Sequence, residues 1–447
     1  MSNIGLAEGT ELLGEYHGSG YREPPHLIRR ADGRMLEVSP LLGVLAAHLD
    51  RDLDLEEVAR RVGADLGRSI SAQSVGYLID TKLKPLGVVA GDECSRPPSA
   101  ARLPILGLSV KAGVLPKSAV RVMTGVLMPL FVPAAVVAVL ASLLCVDGWL
   151  ATHHSIGPDV RGLVLRPGLL LVVIGLTVGS GVFHELGHAT ASRYGGAEPG
   201  TIGAGIYLLW PVFYNDLNDS YRLTKAGRLR ADLGGVYFNA VFILALAGVY
   251  GATGAHVLLV AIVVQHLAVA QQFLPFVRLD GYYLVSDLAG VPDLFGRIRP
   301  VVSGFLRGRA AAPEIAGLKP GARAIVTVWV LTTVPVLVGC AALLTATLPV
   351  ALTGTRATLR IQTHALGQAI TRGAPFSSLL SAVQILAVAV PLAGCSAVLL
   401  RTLCGCGRWA AGRRRRAGEG PDCGVCGCTV LFAHHVRRGH RGRTLIG

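Results

Sequence analysis

The stretch "GLLLVVIGLTVGSGVFHELGHATAS", residues 168–192, decides how this chain is read. Residues 168–183 carry no charge, and with the segment that follows they reach the ~20 helical residues needed to cross a bilayer. The same helix then carries His184, Glu185 and His188 in an HExxH pattern. Positions i and i+4 share one helical face, so His184 and His188 can each turn one imidazole nitrogen toward a single ion. Glu185 lies about 100° round the turn and can reach a water at that ion without taking a ligand position. Ionisable groups inside an apolar span are costly, which makes the cluster a functional site by default. A pair of core histidines with satisfied hydrogen bonds is the bland alternative. A catalytic zinc site needs a third protein ligand and one open position. Asp280, in "RLDGYY" (278–283), is the candidate, with Asp287 in reserve; an N-cap or a partner for Arg278 is the other use for Asp280.

The rest of the chain agrees with a membrane setting. Of 447 residues, 51% are hydrophobic and 16% charged, which excludes an ordinary soluble protein. Uncharged stretches at 123–146, 168–183, 233–255, 257–277, 324–355 and 373–400 predict six spans. Segments 193–232 and 278–323 are rich in Arg and Lys, and so is the tail. The positive-inside rule therefore places both termini in the cytoplasm of a multi-pass cell-membrane protein. That topology brings the HELGH end of the second span and the "RLDGYY" end of the fourth to the same side. "PGTIGAGIYLLWPVFYN" (199–215) is too short and too rich in Gly and Pro to span. It is expected to be strand-like or re-entrant, covered by protein or lining a cavity. The first 20 residues hold acids and no apolar stretch, so no cleavable secretory signal is expected.

Residues 21–92 read as a small α+β unit. A hairpin turning at Asp32-Gly33 is followed by a helix capped at Ser39, a second in "DLDLEEVARRVGADL", and a third in "SAQSVGYLIDTKLKPLG". The expected organisation is a cytoplasmic head at 1–94, a Pro-rich linker at 95–118, a membrane unit at 119–402 and a basic tail at 403–447. Residues 1–100 hold 11 Lys and Arg against 15 Asp and Glu, which disfavours nucleic acid as a partner. The tail from 401 holds 10 Arg against two acids, and "RRRR" (413–416) suits anionic lipid. Cys404, Cys406, Cys423, Cys426 and Cys428, with His434, His435 and His440, could hold a second, structural zinc. Their spacing fits no common finger, so an Arg-rich tail with free thiols is preferred. Cys94, Cys145, Cys340 and Cys395 are expected to be inert packing residues.

"FHELGHA" (183–189), "GGVYFNA" (234–240) and "RLDGYYLVSDL" (278–288) resemble the motifs of site-2-type intramembrane zinc metalloproteases. The resemblance covers about residues 115–400 and is nearest the bacterial peptide zinc metalloprotease branch. It implies zinc on His184, His188 and Asp280, Glu185 as general base, and a role for Asn239 near the substrate. Val236 stands where that family's Gly-Pro-x-x-Asn element has proline. The resemblance also implies that 199–215 offers a strand edge to an extended substrate. Residues 27–62 resemble the winged-helix leader-recognition domains named after the pyrroloquinoline-quinone pathway, which bind precursor peptides as an added strand. A structural or dimerisation head is the alternative.

The combined expectation is a polytopic α-helical membrane protein with an N-terminal winged-helix-like domain. It would be a zinc metalloendopeptidase acting on a membrane-associated substrate, the precursor of a ribosomally made, modified peptide. Alternatives are a regulatory protease releasing a membrane-tethered signalling protein, and a non-catalytic immunity or export accessory. The intact His184, Glu185 and His188 argue against the last.

Overall fold

The computed structural model describes residues 5–31, 35–49, 53–89, 108–153, 167–207, 210–307, 313–390 and 444–446. The N-terminal unit is a three-stranded antiparallel sheet of β1 (Glu11–Glu15), β2 (His26–Arg29) and β3 (Met35–Val38), in that order. The expected hairpin is β2–β3, registered at Leu27↔Glu37; its Asp32-Gly33 turn lies outside the described residues. Strand β1 was not anticipated, because its residues carry two glutamates and alternate poorly. It pairs with β2 through a register shift at Gly14, which sits at φ 77°. The helices α1 (Pro40–Ala47), α2 (Leu55–Leu66) and α3 (Ala72–Leu78) start at Ser39, Asp54 and Ser71. Each of these side chains accepts a hydrogen bond from a first-turn N–H. A single π-helical turn, Ile79–Leu83, extends α3. Ile28, Val38, Leu45, Val58, Val62, Val75 and Leu83 close the core between sheet and helices.

The segment expected to be a linker is partly a strand. β4 (Leu108–Leu115) pairs antiparallel with β5 (Ile202–Tyr207), which pairs with β6 (Trp210–Asp216), and β7 (Thr444–Ile446) follows on the far side. "LSVKAGVL" holds two β-branched valines, a glycine that weakens a helix and no proline, so once a partner edge is near it completes a sheet. Residues 202–207 and 210–215 thus pair as antiparallel strands, the first of the two forms expected of 199–215.

The remainder is helical: α4 (Lys117–Leu127), α5 (Pro133–His153), α6 (Pro167–Tyr194), α7 (Lys225–Thr253), α8 (Val257–Gln272), α9 (Asp280–Ala289), α10 (Ile298–Arg307), α11 (Pro320–Thr371) and α12 (Pro375–Val390). Among the described residues, four helices are long and apolar enough to cross a membrane: Pro133–His153, Gly168–Tyr194, Lys225–Thr253 and the Pro320–Thr347 part of α11. Two of the six expected spans are therefore shorter among the described residues: α8 and α12 are apolar helices of 10–17 residues. The first span begins later than expected. Pro129 and Pro133 break the chain into a 3₁₀ turn, Met128–Phe131, and Pro133 then opens α5. Residues 356–371, between two expected spans and so expected to be a loop, continue α11, since helix-breaking residues are scarce there. The outward faces are apolar: Val137 and Leu144 on α5, and Val338 and Leu343 on α11, are exposed. Cys145 and Cys340, expected to be packed, are exposed on the same two helices, while Cys94, Cys395 and the cysteine-rich tail lie outside the described residues.

Helices α6 and α7 form the most intimate pair. Gly187 and Gly234 face each other, and a Cβ on either would overlap the other's carbonyl. The two backbones touch because both side chains are missing, the usual device for close helix crossing in lipid. The N-terminal unit docks through residues 16–22. Gly20 N–H donates to Gly290 O at 2.9 Å, Lys319 N–H donates to Gly20 O at 2.8 Å, and Arg22 N–H donates to Gly317 O at 2.9 Å.

Candidate metal centre

Two helices converge on one buried point. α6 brings His184 and His188 from one face, one turn apart, and α9 begins with Asp280. His184 Nε2 and His188 Nε2 are 3.0 Å apart. Asp280 Oδ2 lies 3.2 Å from the first and Oδ1 3.4 Å from the second. All three side chains are at most 3% exposed. Among the described residues, they form a group whose possible ligand atoms all lie within 4.8 Å of one another.

The spacing fits a small ion. Zinc bonds of ~2.0–2.1 Å in tetrahedral geometry put neighbouring ligand atoms about 3.3 Å apart, close to the observed triangle. The tautomers point the same way. His188 Nδ1 lies 2.7 Å from Ala231 O, a carbonyl that can only accept, so Nδ1 carries the proton. A longer contact, Gly235 N to the same Nδ1 at 3.3 Å, is the weaker claim on that atom. In the neutral ring, Nε2 is then the nitrogen left to bind an ion, and it faces the His184 ring and the Asp280 carboxylate. Locking one imidazole nitrogen on a backbone carbonyl is also how metal-binding histidines are usually oriented. His184 Nδ1 has no hydrogen-bond partner among the described residues.

Charge agrees with geometry. Burial works against an anionic Asp280, but the two flanking imidazoles overcome it and hold the carboxyl down at about 2. Neither alternative for Asp280 holds. It is the first residue of α9, whose cap position is Leu279, and Arg278 pairs with Asp293 at 3.7 Å. The reserve candidate is excluded: Asp287 sits at the other end of α9, 3.4 Å from Arg228 Nε. Asp280 alone of the two can reach the histidines.

Glu185 is fully buried on α6, between the two histidines in sequence. Its backbone carbonyl accepts a hydrogen bond from Asn215 Nδ2 at 3.0 Å, which pins β6 to the site helix. Asn239 is not among the clustered atoms. Its Oδ1 lies 3.3 Å from Ser180 Oγ, whose shorter contact, 2.6 Å, is with Gln265 Oε1. Ser180 and Asn239 are each four residues from a site residue, His184 and Gly235, so this polar network lies one turn along the helices from the centre. α7 runs through Val236 without interruption, as expected where proline is absent.

Sequence reading missed the groups that make room. A Cβ on Gly235 would collide with both imidazole rings, and Ala231 acts only through its backbone. The "GG" of "GGVYFNA" was the available signal, one glycine for the helix crossing and the next for the rings.

The chain matches no family model, no curated protein and no solved structure.

Proposed function

We propose that the protein is an intramembrane zinc endopeptidase. The observation that carries this reading is the triangle of two imidazole nitrogens and a carboxylate, with edges of 3.0–3.4 Å, buried beside a glutamate. His184, His188 and Asp280 would hold the ion, leaving one position open; zinc there would polarise a scissile carbonyl and acidify a water. Glu185 takes the proton from the attacking water and delivers it to the departing amine. The apolar surroundings exclude bulk water, which strengthens each of these interactions. Ser180, Asn239 and Gln265 form a polar surface one turn away, suited to a substrate main chain.

The membrane reading takes α8 and α12 as the ends of two further spans, six in all, with both termini on the cytoplasmic side. The docking of the head at the basic ends of α7 and α11, through Arg228 and Lys319, supports that side. The substrate is then a membrane-associated peptide, and the head, a sheet with three capped helices, serves to hold its leader by strand addition. This gives maturation of a ribosomally made precursor peptide as the biological setting.

The test is reconstitution in liposomes with a transmembrane peptide, products read by mass spectrometry and metal by elemental analysis. Wild type should carry one zinc and cleave. Glu185→Gln should keep the zinc and lose cleavage by at least the ~10²–10⁴-fold typical of a general base. A His184→Ala, His188→Ala double variant should lose both. Cleavage by Glu185→Gln at the wild-type rate would refute the assignment.

A further inference from the structure

The site has a built-in neighbour that its chemistry does not require. β6 pairs with β5 along one edge, and its other edge carries β7, the C-terminal segment, in the register Tyr214↔Ile446, Asn215↔Leu445, Asp216↔Thr444. Asp216 N–H is spent toward Thr201 O on the β5 side, at 3.1 Å. Main-chain groups alternate along an antiparallel strand, so those of Asn215 are turned to β7. Asn215 is also the residue whose side chain holds Glu185 O. β7 packs in turn against α6 and α9, the two helices that bring His184, His188 and Asp280 together. The last strand of the chain therefore lies on the one sheet edge that is tied to the proposed base, between the ligand-bearing helices.

We propose that the groove formed by β6, α6 and α9 is a docking site for an extended peptide, and that residues Thr444–Ile446 are its resident occupant. An incoming substrate segment must displace them. This rests on the hydrolase reading given above and adds regulation to it. A strand edge recognises peptide main chain almost irrespective of sequence, so the chain's own terminus competes with any extended ligand. A three-residue strand makes few ladder bonds and is easily exchanged. Being part of the same chain, it is still present at an effective concentration of up to about millimolar. Between turnovers the segment covers an edge that would otherwise invite pairing with other chains.

The experiment uses a fluorescein-labelled peptide, HRGRTLIG, corresponding to residues 440–447. Its binding is compared for the full-length protein, a variant ending at residue 442, and full-length Leu445→Pro, which loses a ladder donor. The two variants should bind the peptide at least tenfold more tightly than wild type. Equal binding by all three, or binding by none, would overturn the proposal. Weak binding by wild type that tightens on dilution would assign the occupant to a second copy and overturn occupancy in cis. None of these readouts needs hydrolysis. On a cleavable peptide the truncated protein should show a lower KM with unchanged kcat. Differential peptide binding without cleavage in any form would remove the hydrolase reading and leave the docking site.

Discussion

Helix α9 carries a buried aspartate at each end, and the two do different work. Asp280 faces two imidazoles, and they hold its carboxyl at about 2. Asp287, seven residues on, faces Arg228 at 3.4 Å; burial pushes its carboxyl up, and the guanidinium opposes that. Arg228 is fully buried, donates to Leu223 O at 2.8 Å and to His17 O at 3.0 Å, and lies over the Tyr16 ring. One end of the helix completes the His-His-Asp cluster proposed to hold a metal, and the other fastens the N-terminal unit. Two residues of one type, in one helix and equally hidden from water, take their roles from the charge of the partner that packing supplies.

That contrast is broken most forcefully by exchanging each carboxylate for its amide. Asp280→Asn removes a ligand charge, so zinc affinity should fall by more than the roughly 10–100-fold lost when only a ligand's hydrogen-bond partner is removed. The fold should persist. Asp287→Asn should instead keep the zinc and destabilise the protein by about 3–5 kcal/mol, because Arg228 stays buried without its counter-charge. Metal titration beside thermal unfolding separates the two, and metal loss in Asp287→Asn at temperatures where it is folded would erase the distinction.

Gly235→Ala sharpens the metal side of the comparison. The added methyl meets both imidazoles, so the rings must move or the helices part. Overpacking of this kind costs about 1–3 kcal/mol. Here the larger signature should be weakened zinc binding with near-normal helicity by circular dichroism. Gly234→Ala is the control, since it should loosen the α6–α7 crossing first. Unaltered zinc affinity in Gly235→Ala would mean that the rings do not sit where the geometry puts them.

The smallest effect concerns the docking side. Glu37, on β3, is partly buried, and its carboxyl is pushed up to about 7, mainly by burial, with Arg297 opposing. A carboxyl raised on folding contributes stability that is fully present below the unfolded value near 4.5 and is lost as pH rises through about 7. Screening of a partly exposed group leaves an effect on the order of 1 kcal/mol. Melting curves of wild type between pH 5 and 8 should fall relative to Glu37→Gln, and parallel curves would dismiss the effect.

Much of this was legible in the residues because the signals are local. The shared face of His184 and His188 follows from 3.6 residues per turn. Ser39, Asp54 and Ser71 cap helices by reaching N–H groups three residues away, as their positions before apolar runs announced. The apolar helices declared themselves by composition, though not their exact ends, which prolines at 129 and 133 moved. Strand β1 and strand β4 were not legible. A strand takes its stability from a partner's main chain, and those partners lie in other segments: β2 for one, β5 nearly a hundred residues on for the other.

The sequence by itself determined that two histidines and a glutamate share a turn of an apolar helix, and that a carboxylate follows a later apolar segment. Only tertiary structure decided which carboxylate. The glycines at 187, 234 and 235 let α6 and α7 close to backbone contact, and that approach leaves room at the rings for the first residue of α9. It also set the C-terminal strand on β6, more than two hundred residues away in sequence. Periodicity and capping act within a few residues, whereas the choice of partner depends on the space left when distant backbones meet.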